Sequence, residues 1–546
     1  MRYFGILSLF FMFCLPLRSQ HVDSLYGRKV IYDLSGRTLG WYKPDVPGAV
    51  YHRVVKLSSE FFFHAPVEPV TGLPMHLVTC CFRGPHMTPS KTFEARRWMH
   101  NPACFFAGMV QSLSVQYHAY TGNRRFISIV QEMLDHQLQY GTTPSDFIWP
   151  DVPYASSDPF SKIYQGATQW NGERGDGLHG IEPDKVGELG YAYLRFYEIT
   201  ETEKYLHAAI SCADALAKNV SAIQVKESSE ENYQVIIDKS PWPFRVNAKT
   251  GNIIDPYCSN ILEPVKLLRE LVRIKDRIGL SDERTSKYRN AADIAWNWLF
   301  AKNGPTRTFI WNGYFEDVKS DPTLSNRVQI TPVELAKYLT EHKSGYPSAE
   351  YHVPALLYYA LSAFKHEKMD AMNEQLWCFQ PMGSHTARFG SACAMWYEKT
   401  GNEYFKDLAF RYLNFASYMT HDNGVVSTGP AYSASWFSDG YGDYIRHFLD
   451  AMAAVPEWVP DNENHLLRSS SVVQSIEYSD NLIKYKVFDK QSVEKMKLVK
   501  KPLKVLAGKR ELQQVSNEQT EGWWWDSLQN VLFINHQHEA EIAIHL

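Results

Sequence analysis

Apolar residues in the central part of the chain recur every three or four positions, which is the spacing of one face of an α-helix. The residues Phe105, Met109, Leu113 and Tyr117 show this spacing, and the run from Phe126 to Leu138 repeats it after a short polar break. Two such runs joined by a few polar residues predict a helical hairpin whose two apolar faces pack together.

The sequence at the turn of this hairpin recurs at 117–126, 196–205 and 396–405. In each copy an aromatic residue is followed four positions later by Thr, then by a Gly-Asn or Glu-Thr pair and a second aromatic residue. Gly favours the left-handed conformation that ends a helix, and Asn or Thr caps the start of the next one. The recurrence therefore indicates repeated helical hairpins rather than unrelated helix ends.

The central region is predicted to be a series of such hairpins. Their first helices lie near 103–120, 184–199, 259–275, 351–366 and 384–399, and their second helices near 124–139, 202–218, 283–302, 368–378 and 403–420. One further helix is predicted near 442–454. Because the first helices are the more apolar, we expect them to form an inner ring enclosed by the others, as in a helical toroid.

Both ends of the chain show a different pattern. Residues 25–90 alternate between apolar and polar positions, for example at 54–57, with Pro and Gly between the alternating stretches, and predict strands and extended arms. From about 466 onward, alternating stretches such as 482–488 predict a small antiparallel β-sandwich. The predicted organisation is a leader over 1–20, an extended or β region over 21–95, a mainly α-helical toroid over 96–458 and the sandwich over 459–546.

The first 20 residues have the features of a secretory signal peptide. Arg2 precedes an uncharged, mostly apolar run over 3–15, and a break with the small residue Ser19 follows. The apolar run is too short to cross a bilayer as a helix. Lipidation at Cys14 is the alternative, but Phe13 occupies a position where a lipoprotein signal has a small residue. We expect an exported bacterial protein, periplasmic or secreted, with no membrane attachment after cleavage.

Composition narrows the class of protein. The 546 residues are 45% hydrophobic and carry a net charge of −4, and there is no basic stripe of the kind that binds nucleic acid. Aromatic residues make up 14% of the chain, more than a core needs, so some are expected to line a surface. The remaining cysteines and the 20 histidines show no zinc-ligand spacing, and we expect neither a metal nor another cofactor.

The links between hairpins are long, and in a toroid they meet the N-termini of the inner helices at one end, which we call the mouth. Helix N-termini favour negatively charged ligands. The richest link spans 169–182 and contains four glycines. Asp176 is its candidate acid or base, and its candidate binding residues are Trp170, Glu173, Arg174 and His179. The alternative is a solvated loop, with Asp176 in an ordinary turn and Glu182 capping the next helix.

A second cluster lies at 242–260. Arg245 is a candidate clamp for a carboxylate, Tyr257 a candidate acid, base or stacking group, and Asn260 a candidate binding residue. The alternative is a capped helix with a core Tyr, in which Arg245 forms a structural bridge to Asp255.

Two later links supply the candidate partner carboxylates, Glu316 and Asp439. Glu316 has the alternative of an ordinary solvated loop. Aromatic faces with polar rims suit sugar rings, and carboxylates supply the acid and base for glycosidic cleavage. The other candidate binding residues at the mouth are Trp311, His385, Arg388 and Trp436.

Taken together, the hairpins, the Trp- and carboxylate-rich mouth, the leader and the sandwich resemble the six-hairpin glycosidase superfamily, the (α/α)6 toroids of exported bacterial glycan-degrading systems. The segments 312–317 and 436–443 carry part of this resemblance. The resemblance implies a sugar-active enzyme, with uronic-acid glycans among the expected substrates. The same toroid also occurs in polysaccharide lyases, so it narrows the substrate class without fixing the reaction.

Three functions follow as hypotheses. The first is a glycoside hydrolase with a β-glucuronidase-like activity on an anionic, uronate-containing oligo- or polysaccharide, acting either as a monomer or as an oligomer. The second is a polysaccharide lyase, in which Arg and Asn neutralise the uronate and a Tyr or His removes the C5 proton. Its candidate residues are Tyr257, Asn260, His352, His385 and Arg388. The third is a glycan-binding toroid without catalysis.

Overall fold

The structure is a computed structural model of the chain. It describes residues 24–25, 28–64, 67, 72, 82–83, 94–95, 102–154, 178–221, 240–257, 260–311, 327–376, 381–422, 424–427, 429, 441–517 and 519–546. The predicted leader over 1–20 lies outside these residues. No helix in the described part of the chain is long and apolar enough to span a membrane.

Six helices that are mostly buried form a closed inner ring. They are α2 at 102–121, which is π-helical over Val110–Tyr117, α4 at Pro183–Thr200, α6 at Leu262–Arg273, α8 at Ile330–Glu341, α10 at Gly383–Thr400 and α12 at Tyr441–Ala454. Each packs against the next, and α12 returns to α2. Because these helices have neighbours on several sides, they are apolar around most of their circumference.

Six further helices pack around this ring. They are α1 at Ala49–His64, α3 at Arg125–Tyr140, α5 at Glu203–Lys218, α7 at Asp282–Phe300, α9 at Ala349–Phe364 and α11 at Glu403–Ser417. Five of them follow an inner helix directly in the chain, and α1 completes the set by packing on α12. A short helical turn at Pro305–Thr308 follows α7. The described residues therefore form the helical toroid that the sequence predicts.

The hairpin turns have the predicted backbone conformations. Gly122 and Gly401 end α2 and α10 in the left-handed region, with φ of 76° and 67°. Asn402 then caps α11, because its side chain accepts a hydrogen bond from the backbone N–H of Tyr404 at 3.1 Å. In the copy without glycine, Glu201 adopts the left-handed conformation at φ 53°. The repeated turn sequence thus encodes one turn geometry.

The N-terminal region differs in part from its prediction. Its described residues form three short strand pairs: Ser24–Leu25 with Arg28–Lys29, Ile31–Tyr32 with Thr38–Leu39, and Phe82–Arg83 with Glu94–Ala95. The strand predicted at 54–57 is wrong, because these residues lie inside α1. Buried positions in α1 include Val50, Val54 and Phe61, which follow the helical period rather than a period of two.

The fourth hairpin also differs from its prediction. The sequence indicates 351–366 as an inner helix followed by an outer helix at 368–378, but the structure pairs inner α8 with outer α9. Residues 372–373 form a short strand against Pro381–Met382 instead. His352 consequently lies on an outer helix, where its ring packs edge-on against Phe300 with centroids 5.1 Å apart.

The C-terminal region is the predicted antiparallel sandwich. Its strands are β1 at His465–Ser469, β2 at Val473–Tyr478, β3 at Leu482–Val487, β4 at Ser492–Lys497, β5 at Lys504–Ala507, β6 at Arg510–Leu512, β7 at Gly522–Asp526, β8 at Val531–His536 and β9 at Glu541–His545. One sheet has the order β1-β4-β8-β7 and the other β2-β3-β9-β5-β6. Alternate residues such as Ile483, Ile534 and Ile544 are fully buried between the sheets.

The sandwich packs on the end of the ring where the inner helices finish. Glu398, near the end of α10, forms ion pairs of 2.7 Å with Arg468 and Lys495 of the sandwich. The Tyr478 hydroxyl donates to the carbonyl of Ala119 at 2.6 Å, near the end of α2. The N-termini of the inner helices therefore face the opposite end of the ring, which is the mouth.

Candidate active site

Seven of the predicted site residues lie outside the described residues. They are Trp170, Glu173, Arg174, Asp176, Glu316, Trp436 and Asp439. Their roles stay predictions. The described residues at the mouth belong to the first turns of the inner helices and to a three-stranded sheet formed by Gly180–Ile181, Arg245–Asn247 and Ile253–Asp255.

Arg245 lies in this small sheet with its charge paired. Its Nε donates to the Glu182 carboxylate at 2.9 Å, and its Nη1 lies 3.6 Å from Asp255. All three side chains are at most 5% exposed. The structure therefore shows the structural bridge, the alternative that the sequence left open, and the role of Arg245 as a clamp for a substrate carboxylate stays a prediction. The Glu182 side chain pairs with Arg245 and does not cap α4.

Tyr257 and Trp311 are core residues. The Tyr257 hydroxyl donates to the carbonyl of Ile310 at 3.4 Å, and its ring packs tilted against Trp298. Trp311 is 2% exposed, so it offers no face on which a sugar could stack. Both side chains are thus packed as core residues, the alternative that the sequence left open for Tyr257, and their roles at the site stay predictions.

The remaining described candidates lie close to the mouth. Asn260 precedes α6 and is 8% exposed, and its side-chain oxygen has no hydrogen-bond partner among the described residues. His385 lies in the first turn of α10 and is 7% exposed. His179 has a left-handed backbone with φ 64°, and its ring packs edge-on against Phe147. The structure does not join these three residues into one cluster.

A layer of charged side chains lies within two turns of the mouth. In the described part of the chain, five of the six inner helices contribute to this charged layer, which consists of Lys185, Glu188, Glu263, Lys266, Glu334, Arg388 and Arg446. These residues interrupt otherwise apolar helices at positions that face one another. Charges inside a helical ring have to be paired with one another, because burying an unpaired charge is costly.

Glu334 is the centre of this layer. Its Oε1 accepts from Arg388 Nε at 3.0 Å and from Arg446 Nη2 at 2.8 Å, and its Oε2 lies 3.8 Å from the Lys266 ammonium. Burial by itself would raise the pKa of Glu334, but these cations hold the pKa well below its ordinary value. Glu334 is therefore an ionised anchor that positions three cations.

Glu188 has the opposite electrostatic environment. Its carboxylate lies 3.1 Å from the Lys185 ammonium, and its side chain is 22% exposed. Burial raises the pKa of Glu188 to about 7, Lys185 opposes this shift, and the negative charge of Glu263 adds to it. A carboxyl group with this pKa exchanges its proton near neutral pH, which suits a general acid or base.

Lys266 connects the carboxylates of the layer. Its ammonium lies 2.7 Å from Glu263 and 3.8 Å from Glu334. Because one ammonium contacts both carboxylates, it offsets the repulsion between Glu263 and Glu334. The layer thus combines a titrating carboxyl group, further carboxylates and several cations at the open end of the ring.

A second polar group fills the ring one turn deeper. The Lys337 ammonium contacts Asp450 at 2.6 Å, and Gln116 donates to the same carboxylate at 2.6 Å. His447 is fully buried, and its Nδ1 lies 3.3 Å from the Ser391 hydroxyl. These contacts close the floor beneath the charged layer.

The sequence analysis did not identify most of the charged layer. Only Arg388 was a candidate, and Glu334 and Lys337 lie in a helix that was not predicted. The available signal was the occurrence of charged residues at helical spacing within apolar inner helices, such as Lys185 and Glu188 in α4. Such residues face either the ring interior or solvent, and only the ring geometry distinguishes these cases.

Comparison with known proteins supports the fold. The chain matches no family model, and no curated protein sequence is significantly similar to it. Among solved structures, a cellobiose 2-epimerase from Spirochaeta thermophila has a TM-score of 0.50 at 11% identity, covering 75% of this chain and 98% of the epimerase.

Two further solved structures are less similar. A family 76 glycoside hydrolase from a bovine Bacteroides thetaiotaomicron strain has a TM-score of 0.45 at 11% identity, covering 75% of this chain and 78% of the hydrolase. An unsaturated glucuronyl hydrolase specific for heparin has a TM-score of 0.39 at 12% identity, covering 74% and 97%. At these identities the likeness concerns the fold alone. The chain has an (α/α)6 toroid fold similar to that of the cellobiose 2-epimerase.

Proposed function

We propose that this chain is a carbohydrate-active enzyme that hydrolyses a uronate-containing glycan at the mouth of the ring. The observation that carries the proposal is the charged layer, in which Glu188 titrates near neutral pH close to Glu263 and the cations around Glu334. The cellobiose 2-epimerase of similar fold supports a sugar as the substrate.

Glu188 is the proposed general acid. Hydrolysis of a glycosidic bond requires a carboxylic acid that still holds its proton at the working pH and donates it to the leaving oxygen. The raised pKa of Glu188 meets this requirement, whereas Glu334 is held ionised by its cations. The second carboxylate of the pair is proposed to be Glu263 or one of the sequence candidates Asp176, Glu316 and Asp439.

Selection for uronates is proposed to arise from the positive side chains of the same layer and from the helix N-termini. Lys266, Arg388 and Arg446 converge on one carboxylate, and a substrate carboxylate would enter the same field. Hydrolysis is preferred to the lyase reaction because two of the three candidate bases for a lyase are poorly placed: Tyr257 is buried against Trp298, and His352 lies on an outer helix. The third, His385, lies in the first turn of α10, so the lyase stays the second candidate.

The test compares Glu188→Gln with the wild type on a panel of uronate glycans and their carboxyl-reduced counterparts, measuring new reducing ends and ultraviolet absorbance. We expect cleavage without an ultraviolet-absorbing product, and a fall in kcat of at least about a hundredfold in the variant, as for loss of a general acid. Glu198→Gln is the matched control, because Glu198 is a buried carboxyl group at the sandwich end of the same helix.

The control is expected to keep wild-type kcat while losing stability, because Glu198 pairs with Arg195 at 2.9 Å. Wild-type turnover in Glu188→Gln would remove Glu188 from the mechanism. Formation of an ultraviolet-absorbing product would establish the lyase instead. Epimerisation without cleavage would reject hydrolysis but leave the claim that the chain is a sugar-active enzyme. Equal rates on native and carboxyl-reduced glycans would reject selection for uronates.

A further inference from the structure

A cleft of about 620 Å³ lies between the ring and the sandwich, at the end of the ring opposite the mouth. Its walls come from α1, from the C-terminal end of α2, from the segment that enters β1, and from residues of the sandwich such as those at 478–480. Three potential metal ligands meet in this cleft, although they are far apart in sequence: His52 on α1, and Glu463 and His465 at the start of the sandwich. Their ligand atoms all lie within 4.8 Å of one another.

The spacing of these atoms is close to that of a metal site. His465 Nε2 lies 3.3 Å from the Glu463 carboxylate, and His52 Nε2 lies 3.9 Å from the same oxygen. Neighbouring ligands of a tetrahedral zinc ion are about 3.3 Å apart when each bond is about 2.0–2.1 Å. His465 and Glu463 are therefore already at the spacing of two zinc ligands, and His52 would have to move closer to complete the site.

Tyr120 orients both histidine rings. Its carbonyl lies 2.9 Å from His465 Nδ1, its hydroxyl lies 2.9 Å from His52 Nδ1, and its ring stacks on His465 with centroids 3.8 Å apart. A carbonyl only accepts hydrogen bonds, so His465 Nδ1 carries the proton. A hydrogen bond from the second ring nitrogen to a carbonyl is the usual support of a metal-binding histidine.

This tautomer leaves a polar conflict at His465. In the neutral ring, Nε2 presents a lone pair to the Glu463 oxygen, so two acceptors face each other at 3.3 Å. The His465 side chain is 5% exposed, and Nε2 has no hydrogen bond among the described residues. A cation between the two atoms would remove the conflict, and two imidazoles with one carboxylate match the ligand preference of zinc.

We propose that His52, Glu463 and His465 bind a divalent first-row transition ion, with Zn²⁺ as the best match. Three protein ligands leave a fourth position open towards the cleft for water. Because His52 belongs to the ring and the other two ligands belong to the sandwich, the ion would join the two parts and stabilise their junction. The regular zinc-ligand spacings are absent here because the ligands come from both ends of the chain.

The test uses the full-length protein without a histidine tag, after treatment with EDTA. Calorimetric titration with ZnCl₂ is expected to give one tight site, with no binding of MgCl₂, since Mg²⁺ prefers oxygen ligands. Glu463→Gln and His52→Asn are expected to weaken zinc binding at least about tenfold. His64→Asn is the matched control, because His64 is an exposed histidine on the same helix.

Thermal unfolding gives a second readout. Zinc should raise the melting temperature of the wild type and of His64→Asn, and should raise it much less for Glu463→Gln, whose substituted side chain is 47% exposed and therefore compatible with folding. Absence of a stoichiometric zinc site, or equal affinity in the wild type and both ligand variants, would overturn the proposal and leave a contact between Glu463 and His465 without a metal. The site lies opposite the mouth, so neither outcome affects the proposed hydrolase.

Discussion

Replacing Glu334 by Gln should be among the most destabilising single changes in the ring. The carboxylate is 5% exposed and contacts Arg388 at 3.0 Å, Arg446 at 2.8 Å and Lys266 at 3.8 Å. Gln has nearly the same shape and keeps a hydrogen-bond acceptor, but it removes the negative charge. Three cations would then lie together in the ring without the anion that offsets their mutual repulsion.

The expected cost follows from the burial of the site. Removing one partner of a buried ion pair costs about 3–5 kcal/mol, because the remaining charge is left without compensation. Glu334 compensates more than one cation, so we expect a loss of unfolding free energy at the upper end of this range. Solvent screening reduces the loss little, since the side chains of Arg388 and Arg446 are only 7% and 18% exposed.

The measurement is urea unfolding followed by tryptophan fluorescence and far-ultraviolet circular dichroism. Glu341→Gln is the control, because Glu341 is an exposed carboxylate at the end of the same helix, and a change within about 0.5 kcal/mol is expected there. In the Glu334→Gln background, Arg388→Met should cost less than in the wild type, with a coupling of about 0.5–3 kcal/mol. Equal stability of Glu334→Gln and the wild type would refute this account of the charged layer.

Three further predictions concern other contacts. Gly187→Ala should lower the unfolding free energy measured in urea by about 1–3 kcal/mol, because the added methyl group would lie 2.4–2.7 Å from Pro264 on the next inner helix. Wild-type stability of this variant would show that the two helices can move apart without cost and would contradict the prediction. Glu188 binds a proton more tightly in the folded than in the unfolded chain, so its contribution to folding stability should fall as pH rises from about 4.5 to 7, by at most about 3 kcal/mol. Urea unfolding at several pH values should show that Glu188→Gln removes this contribution, while Glu198, whose pKa burial raises to about 8, keeps its own. Arg245→Met should lower the unfolding free energy by about 3–5 kcal/mol without changing the ratio of activities on uronate and carboxyl-reduced glycans; a changed ratio would support Arg245 as a substrate clamp.

Local sequence patterns predicted the elements whose stability depends on local contacts. The turns at 121–123 and 400–402 were identified because Gly and Asn favour particular backbone conformations wherever they occur. The β-sandwich was identified because its strands alternate strictly, as Leu482–Val487 does. Patterns failed where two periods overlap. The stretch 54–57 fits a strand over four residues and a helix over sixteen, and the longer period is the one observed.

The sequence by itself determined the toroid of helical hairpins and the trailing sandwich, since both follow from the periodicity of apolar residues and from turn residues. The tertiary structure decided which helices form the inner ring and which charges face one another there. Glu188, Glu334 and Arg388 come from three different helices, and the two histidines of the proposed zinc site are separated by most of the chain. Electrostatic interactions depend on distance in space, so local patterns gave the pairing of Arg245 with Asp255 only as an alternative, and none indicated that the pKa of Glu188 is raised to about 7.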